Sequence, residues 1–158
     1  MLQNRQLRDL KKRQRKYYSG KKKRHTLKTQ VIVNKSTSEI VCIYSGKGKM
    51  HDFRLFKNSK SNIAPDATVA VDSGYQGLQK IHANTVLPKK RTKKNPLTKA
   101  DKLKNREISS KRVLNENVIG VVKRFRIIAE KYRNRRKRFN LRFNLIAGIY
   151  NSELENYR

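Results

Sequence analysis

Apolar and polar positions alternate through Leu27, Thr29, Val31 and Val33, give way to the polar stretch Asn34 to Ser38, and resume from Ile40 to Tyr44. A period of two, rich in β-branched residues on both sides of a polar turn, predicts a β-hairpin. Ser45 to Lys49 follows as a glycine-containing turn, and Gly46-Lys47-Gly48 has neither the spacing nor the strand-to-helix setting of a phosphate loop. His51-Asp52 then opens a short amphipathic segment, Phe53 to Asn58, with Asp52 placed to cap its N-terminus. Pro65 breaks the chain ahead of the apolar run Thr68 to Val71, which predicts a buried strand delivering Asp72 at its C-terminal end.

Past Asp72-Ser73-Gly74-Tyr75, a short helix through Leu78 to His82 and a brief strand around Val86-Leu87 are expected, then a basic, proline-bounded loop over Lys89 to Pro96. From about Leu97 to Tyr132 the pattern changes to helical. Leu114, Val118, Val121, Phe125, Ile128 and Tyr132 recur at intervals of three and four, which predicts one long helix with a single apolar stripe. Phe139, Phe143, Ile146 and Tyr150 predict a final amphipathic helix. Strands first and helices after give an α/β chain with a mixed, α+β type of sheet.

Charge changes the picture more than length does. Among 158 residues, 41 Lys and Arg stand against 11 Asp and Glu, a net charge of +30. So unbalanced a surface calls for a polyanion, and nucleic acid fits because Lys and Arg on phosphates release condensed counterions. The basic residues are grouped, ten in Lys11 to Lys28, nine in Lys89 to Arg106 and ten in Lys123 to Arg142. Residues 1–26 read as a basic arm, and 27–158 as one folded domain. No apolar run is long enough to span a bilayer, and Met1 to Leu10 lacks the apolar core of a signal peptide. With Cys42 alone, an internal disulfide and a cysteine-based zinc site are both excluded, which suits a reducing compartment.

Acids are few, so each can be weighed. Asp72 at a strand end is where metal or phosphate can reach a carboxylate, although Asp before Ser-Gly is also ordinary turn chemistry. Asp52 reads first as a helix cap, and His51 beside it has no ligand-spaced partner. Glu116, with Arg112 four residues before it and Lys123 seven after, lies along one helix face opposite the Leu114 stripe. On spacing alone, the Arg112/Glu116 pair is solvated helix chemistry worth about 0.3 kcal/mol.

Three blocks in order alter that balance: Tyr17-Tyr18-Ser19-Gly20-Lys21-Lys22-Lys23-Arg24-His25, then Gly48 through His51-Asp52-Phe53-Arg54, then Asp72-Ser73-Gly74-Tyr75-Gln76-Gly77. With the closing stretch Arg112 to Phe125 they resemble DDE-type transposases of bacterial insertion sequences, the insertion-sequence-five group, relatives of the Harbinger-type nucleases. The resemblance implies an RNase H-like fold in which two Asp and one Glu gather around Mg2+ or Mn2+. It implies that Asp72 is the second Asp and Glu116 the third acid, both catalytic and metal-ligating. Arg112, Lys123 and Lys21-Lys22-Lys23-Arg24 would serve as DNA-binding groups, with His51 and Asp52 as accessories.

Two departures qualify the match. Ser109 stands where the group's signature has Tyr, and the strand bearing the first Asp belongs just upstream of the basic block, where Asp9 is the sole acid. The expectation is a transposase domain lacking its first strand and first catalytic Asp, inactive alone in DNA cleavage and strand transfer. An upstream transposase fragment or a second copy in a homo-oligomer would be the partner that completes it, and element ends and target DNA the substrates. A bacterial, nucleoid-associated place in the cytoplasm follows. The alternative is a non-catalytic basic nucleic-acid-binding protein, for which the charge speaks equally well but the isolated acid on a strand end does not.

Overall fold

A computed structural model describes residues 2–6, 14–92, 95–132 and 136–156. The alternating stretch forms the antiparallel hairpin expected of it, β3 (Arg24–Val33) against β4 (Ile40–Lys47), with an irregularity at Ile32/Val33 where the register shifts. The intervening turn is closed by the Asn34 amide donating to the Glu39 carbonyl and by the Asn34 side chain accepting from the Ser36 amide. β3 is the hub of the sheet. Its residues 26–30 pair antiparallel with β1 (Leu2–Gln6), and its first two residues pair with β2 (Tyr18–Ser19). A segment that its charge marks as an arm therefore supplies two strands, because β3 is longer than the hairpin pattern and offers an edge to pair.

The alternation of β3 divides its residues between two apolar clusters. Leu27 and Val31 join Ile40 and Ile43 of the hairpin in the main core. That face is covered by two helices, α2 (Lys99–Val122) and α4 (Phe139–Asn156), which contribute Val118, Val122, Phe139, Phe143, Ile146 and Tyr150. Ile32 turns to the other side, against Phe56 of α1 (Asp52–Ser59), Tyr75 and Leu78. The final helix is as the sequence reads it, with all four stripe residues buried. Asn151 fastens it to the hairpin by accepting from the Ile40 amide and donating to the Ile40 carbonyl.

The long helix ends sooner than its periodicity suggests. α2 begins at a capping box, Thr98 with Asp101, and stops at Val122; the backbone turns extended at Phe125 before the single-turn helix α3 (Arg126–Ala129). The buried set is Ile108, Val118, Ile119 and Val122, while Val121 of the expected stripe is 46% exposed. A straight helix would carry its next turns away from the sheet. The break returns Ile128 and Tyr132 to the main core, where the Tyr132 ring meets Phe139 edge-on at 4.8 Å.

The segment before Asp72 is likewise smaller than expected. β5 is only Val69–Ala70, half-buried, paired in parallel with β6 (Thr85–Val86). It is not a buried strand, because Val69 and Val71 only flank the Phe56/Tyr75/Leu78 cluster. The helix expected over Leu78 to His82 is a single 3-10 turn, Leu78–Lys80. The fold is thus mixed α+β, with antiparallel and parallel pairings.

Candidate active site

Asp72 stands two residues beyond β5 and opens a 3-10 turn, Ser73–Tyr75, whose first amide donates to its Oδ1 at 2.7 Å. The same Oδ1 accepts from Arg112 Nη1 at 3.1 Å. The carboxylate is 55% exposed, the Arg112 side chain 20%. The arginine is thus drawn in from α2 onto the acid and does not stand out in solvent beside Glu116, as an exposed pair within one helix would. Glu116 is exposed and follows Arg112 by one helical turn, about 6 Å further along the same face. The bond between Arg112 and Asp72 ties the strand end to that face.

A second acid supports the same turn from behind. Asp52 does not cap its helix: His51 is the N-cap residue, and its side chain makes no capping bond. Asp52 occupies the first turn of α1, where a negative charge is favourable, and its Oδ1 accepts from Lys28 Nζ at 2.7 Å. That ammonium also donates to the Met50 carbonyl at 2.7 Å. The other oxygen of Asp52 lies over Gly74, so close that a Cβ there would fall 2.1 Å from Oδ2 and 3.0 Å from Cγ. Only glycine fits while Lys28 holds the carboxylate in place. Three residues on, Gly77 has φ +97 with the Phe53 ring against it, so both glycines of Asp72-Ser73-Gly74-Tyr75-Gln76-Gly77 are fixed by α1.

Gly74→Ala is therefore expected to destabilise the chain by about 1–3 kcal/mol, the usual range for overpacking. The Asp72 turn would be displaced with it. Urea denaturation checks the first effect and the amide shift of Ser73 the second; an unshifted Ser73 signal would show that Asp52 does not hold the turn.

Tyr75 is buried, 3% exposed, with its hydroxyl donating to Gln30 Oε1 at 3.4 Å. Burial first, and then the negative charges of Asp52 and Asp72, push its phenol well above the ordinary range. It stays a neutral donor throughout the physiological range. Neither the Lys28–Asp52 link nor the Gln30–Tyr75 contact is evident from motif spacing. Their one trace in sequence is that Lys28 and Gln30 share the side of β3 opposite Leu27 and Val31.

Carboxylate oxygens are hard donors of the kind Mg2+ and Mn2+ take. Asp72 bonds to Arg112, one helical turn before Glu116 on α2, but among the described residues no group of three His, Cys, Asp or Glu side chains is arranged to hold a metal ion. The donors fit in kind. Asp9 lies outside the described residues. His51 is exposed, Lys21, Lys22 and Lys23 form an exposed turn between β2 and β3, Arg24 is the exposed first residue of β3, and Lys123 is the exposed C-cap of α2. No helix among the described residues is long and apolar enough to cross a membrane.

Residues 5–151 match the family described as the DDE superfamily endonuclease, and the chain belongs to that family. Its members generally use divalent metal ions. Among curated proteins the chain is similar to the probable transposase for insertion sequence element IS702 of Microchaete diplosiphon, with 49% identity over 144 residues. The aligned region is 91% of this chain and 52% of the relative, so the chain spans about half the relative's length. The resemblance to insertion-sequence transposases, carried in the sequence by blocks around His51-Asp52 and Asp72, is borne out. No solved structure matches.

Proposed function

We propose that this chain is the nuclease part of an insertion-sequence transposase, an RNase H-like unit in which Asp72 and Glu116 are the metal-ligating acids of DNA strand cleavage and strand transfer. The observation that carries the reading is the bond from Arg112 to Asp72. It draws α2, the helix that also carries Glu116 one turn beyond Arg112, onto the end of β5. An antiparallel group of strands, a parallel pair and helices over one face are compatible with an RNase H-like sheet.

The acids would hold Mg2+ or Mn2+, which when bound supplies Lewis-acid activation of a water or a DNA 3′-hydroxyl and steadies the leaving oxygen. The chain's own residues do the rest. Lys28 and Asp52 fix the turn that presents Asp72. Arg112 holds its Oδ1 in one orientation and lowers the cost of gathering negative charge there. Lys123 and the residues Lys21 to Arg24 grip phosphates of the element ends and target. The donor set is short of a third acid among the described residues. On this reading the chain alone binds DNA without cutting it, and a further acid comes from another transposase segment or a second copy.

The test is cleavage and joining of a labelled duplex carrying the terminal repeats of the flanking element, with Mg2+ or Mn2+. The chain is compared with Asp72→Ala and Glu116→Ala. Binding without cleavage by all three is expected. Cleavage by the unmodified chain that both variants lose would keep the site and overturn its incompleteness; cleavage that survives in both would overturn the site itself.

A further inference from the structure

A groove of about 1020 Å3 runs between the end of β4 and the residues leading into α4. Three aromatic residues line it, the buried Phe139 and the half-buried Tyr17 and Tyr44, together with Leu27 and Met50. Its rim is cationic, with Lys47, Lys137 and Arg138 all exposed, and no acidic residue lines it among the described residues. The mechanism outlined above uses none of these residues.

From this lining we infer that the groove binds an unpaired stretch of DNA strand, its bases against the tyrosines and its phosphates on the rim. The inference rests on the reading of this chain as a DNA-binding transposase part. Every base has a π-face, so stacking on aromatics with a basic border is the general means of holding single strands without regard to sequence. The volume favours this occupant over a duplex: it is at the top of the roughly 300–1,000 Å3 typical of sites that enclose one small molecule. A double helix keeps its bases inside and would offer the tyrosines only its backbone.

The position of the groove favours the same occupant. Met50 also lines it, and the Met50 carbonyl accepts from Lys28 Nζ, the ammonium that holds Asp52 against Gly74. Met50 therefore links the groove to the support of the turn that bears Asp72.

The experiment compares binding of a short fluorescent oligothymidylate and of a duplex, by anisotropy, for the unmodified chain, Tyr44→Ala and Tyr44→Phe. Loss of one stacked base is expected to weaken single-strand binding roughly 10-fold in Tyr44→Ala, and Tyr44→Phe, which keeps the ring, to restore it. Duplex binding should change less than about 2-fold, because phosphate contacts dominate it. Equal losses on both DNAs, or no loss on the single strand, would overturn the groove and leave the DNA-binding reading standing. Failure of the unmodified chain to bind either DNA would overturn that reading, and the groove with it.

Should Tyr44→Ala not fold, the unmodified chain gives the answer by photo-crosslinking to an oligonucleotide carrying 5-iodouracil. Crosslinks at Tyr17 or Tyr44 are expected. Crosslinks confined to other residues would overturn the proposal.

Discussion

Raising salt from about 50 to about 200 mM is expected to weaken the chain's binding to duplex DNA by roughly 10³-fold or more, the loss that 6–10 phosphate contacts produce. The exposed residues Lys21 to Arg24 and Lys123 are only part of the 41 basic residues from which such contacts can come, and 11 acids do little to offset them. Each lysine that touches a phosphate adds about 0.9 to the slope of log affinity against log salt. Replacing Lys21, Lys22 and Lys23 together by alanine should then reduce the slope by up to about 3, nearly equally on all sequences. Anisotropy titrations across the salt range measure this. A flat dependence would mean that the charge does not serve DNA at all.

Phe143→Ala is expected to cost about 3–5 kcal/mol, the usual range for removing a fully buried aromatic side chain. The ring is 2% exposed and packs edge-on against Phe139 at 6.0 Å, within the cluster that seats α4 and α2 on the hairpin. Domains commonly have only about 5–15 kcal/mol in total, so the variant should be barely folded at room temperature. Urea denaturation followed by circular dichroism gives the value. A cost below about 1 kcal/mol would mean that α4 is not seated as described. Because Val118 and Val122 of α2 share this cluster, loosening it should also release the helix bearing Arg112 and Glu116.

The hairpin and the last helix were legible because their burial follows directly from period. Leu27 and Val31 on one side of β3, and Phe139, Phe143, Ile146 and Tyr150 on one side of α4, leave each element a single way to face the core. The expected stripe of α2 was misread by one position near its end. Val121 and Val122 are adjacent and both apolar, so the pattern cannot choose between them; packing against α4 buries Val122. The strand ahead of Asp72 was located within a residue or two but overestimated in burial. A short run of apolar residues does not reveal that its neighbours cover only one flank of it.

Of the candidate site, the acids stand out in the sequence and the residues that hold them do not. Asp72 and Glu116 stand out because acids are scarce and the surrounding blocks resemble a family; Asp52 was visible too, but as a cap. Its true partner, Lys28, is 24 positions away on another element, and nothing local in either residue encodes the pairing. The same holds for Arg112, whose nearest acid in sequence on its own helix face is Glu116 but whose hydrogen bond goes to Asp72, 40 positions away.

By itself the sequence determined the charge, the hairpin, the final helix and the family, and it singled out Asp72 and Glu116 as candidate acids. Each of these depends on composition or on periods and motifs within a few neighbouring residues. Only the tertiary structure decided that α2 ends at Val122, that β1 pairs with β3, that Asp52 and Lys28 clamp Gly74, and that Arg112 bonds Asp72. Those outcomes arise from contacts between residues far apart along the chain, where competing partners are told apart by the space and charge that the folded neighbours leave.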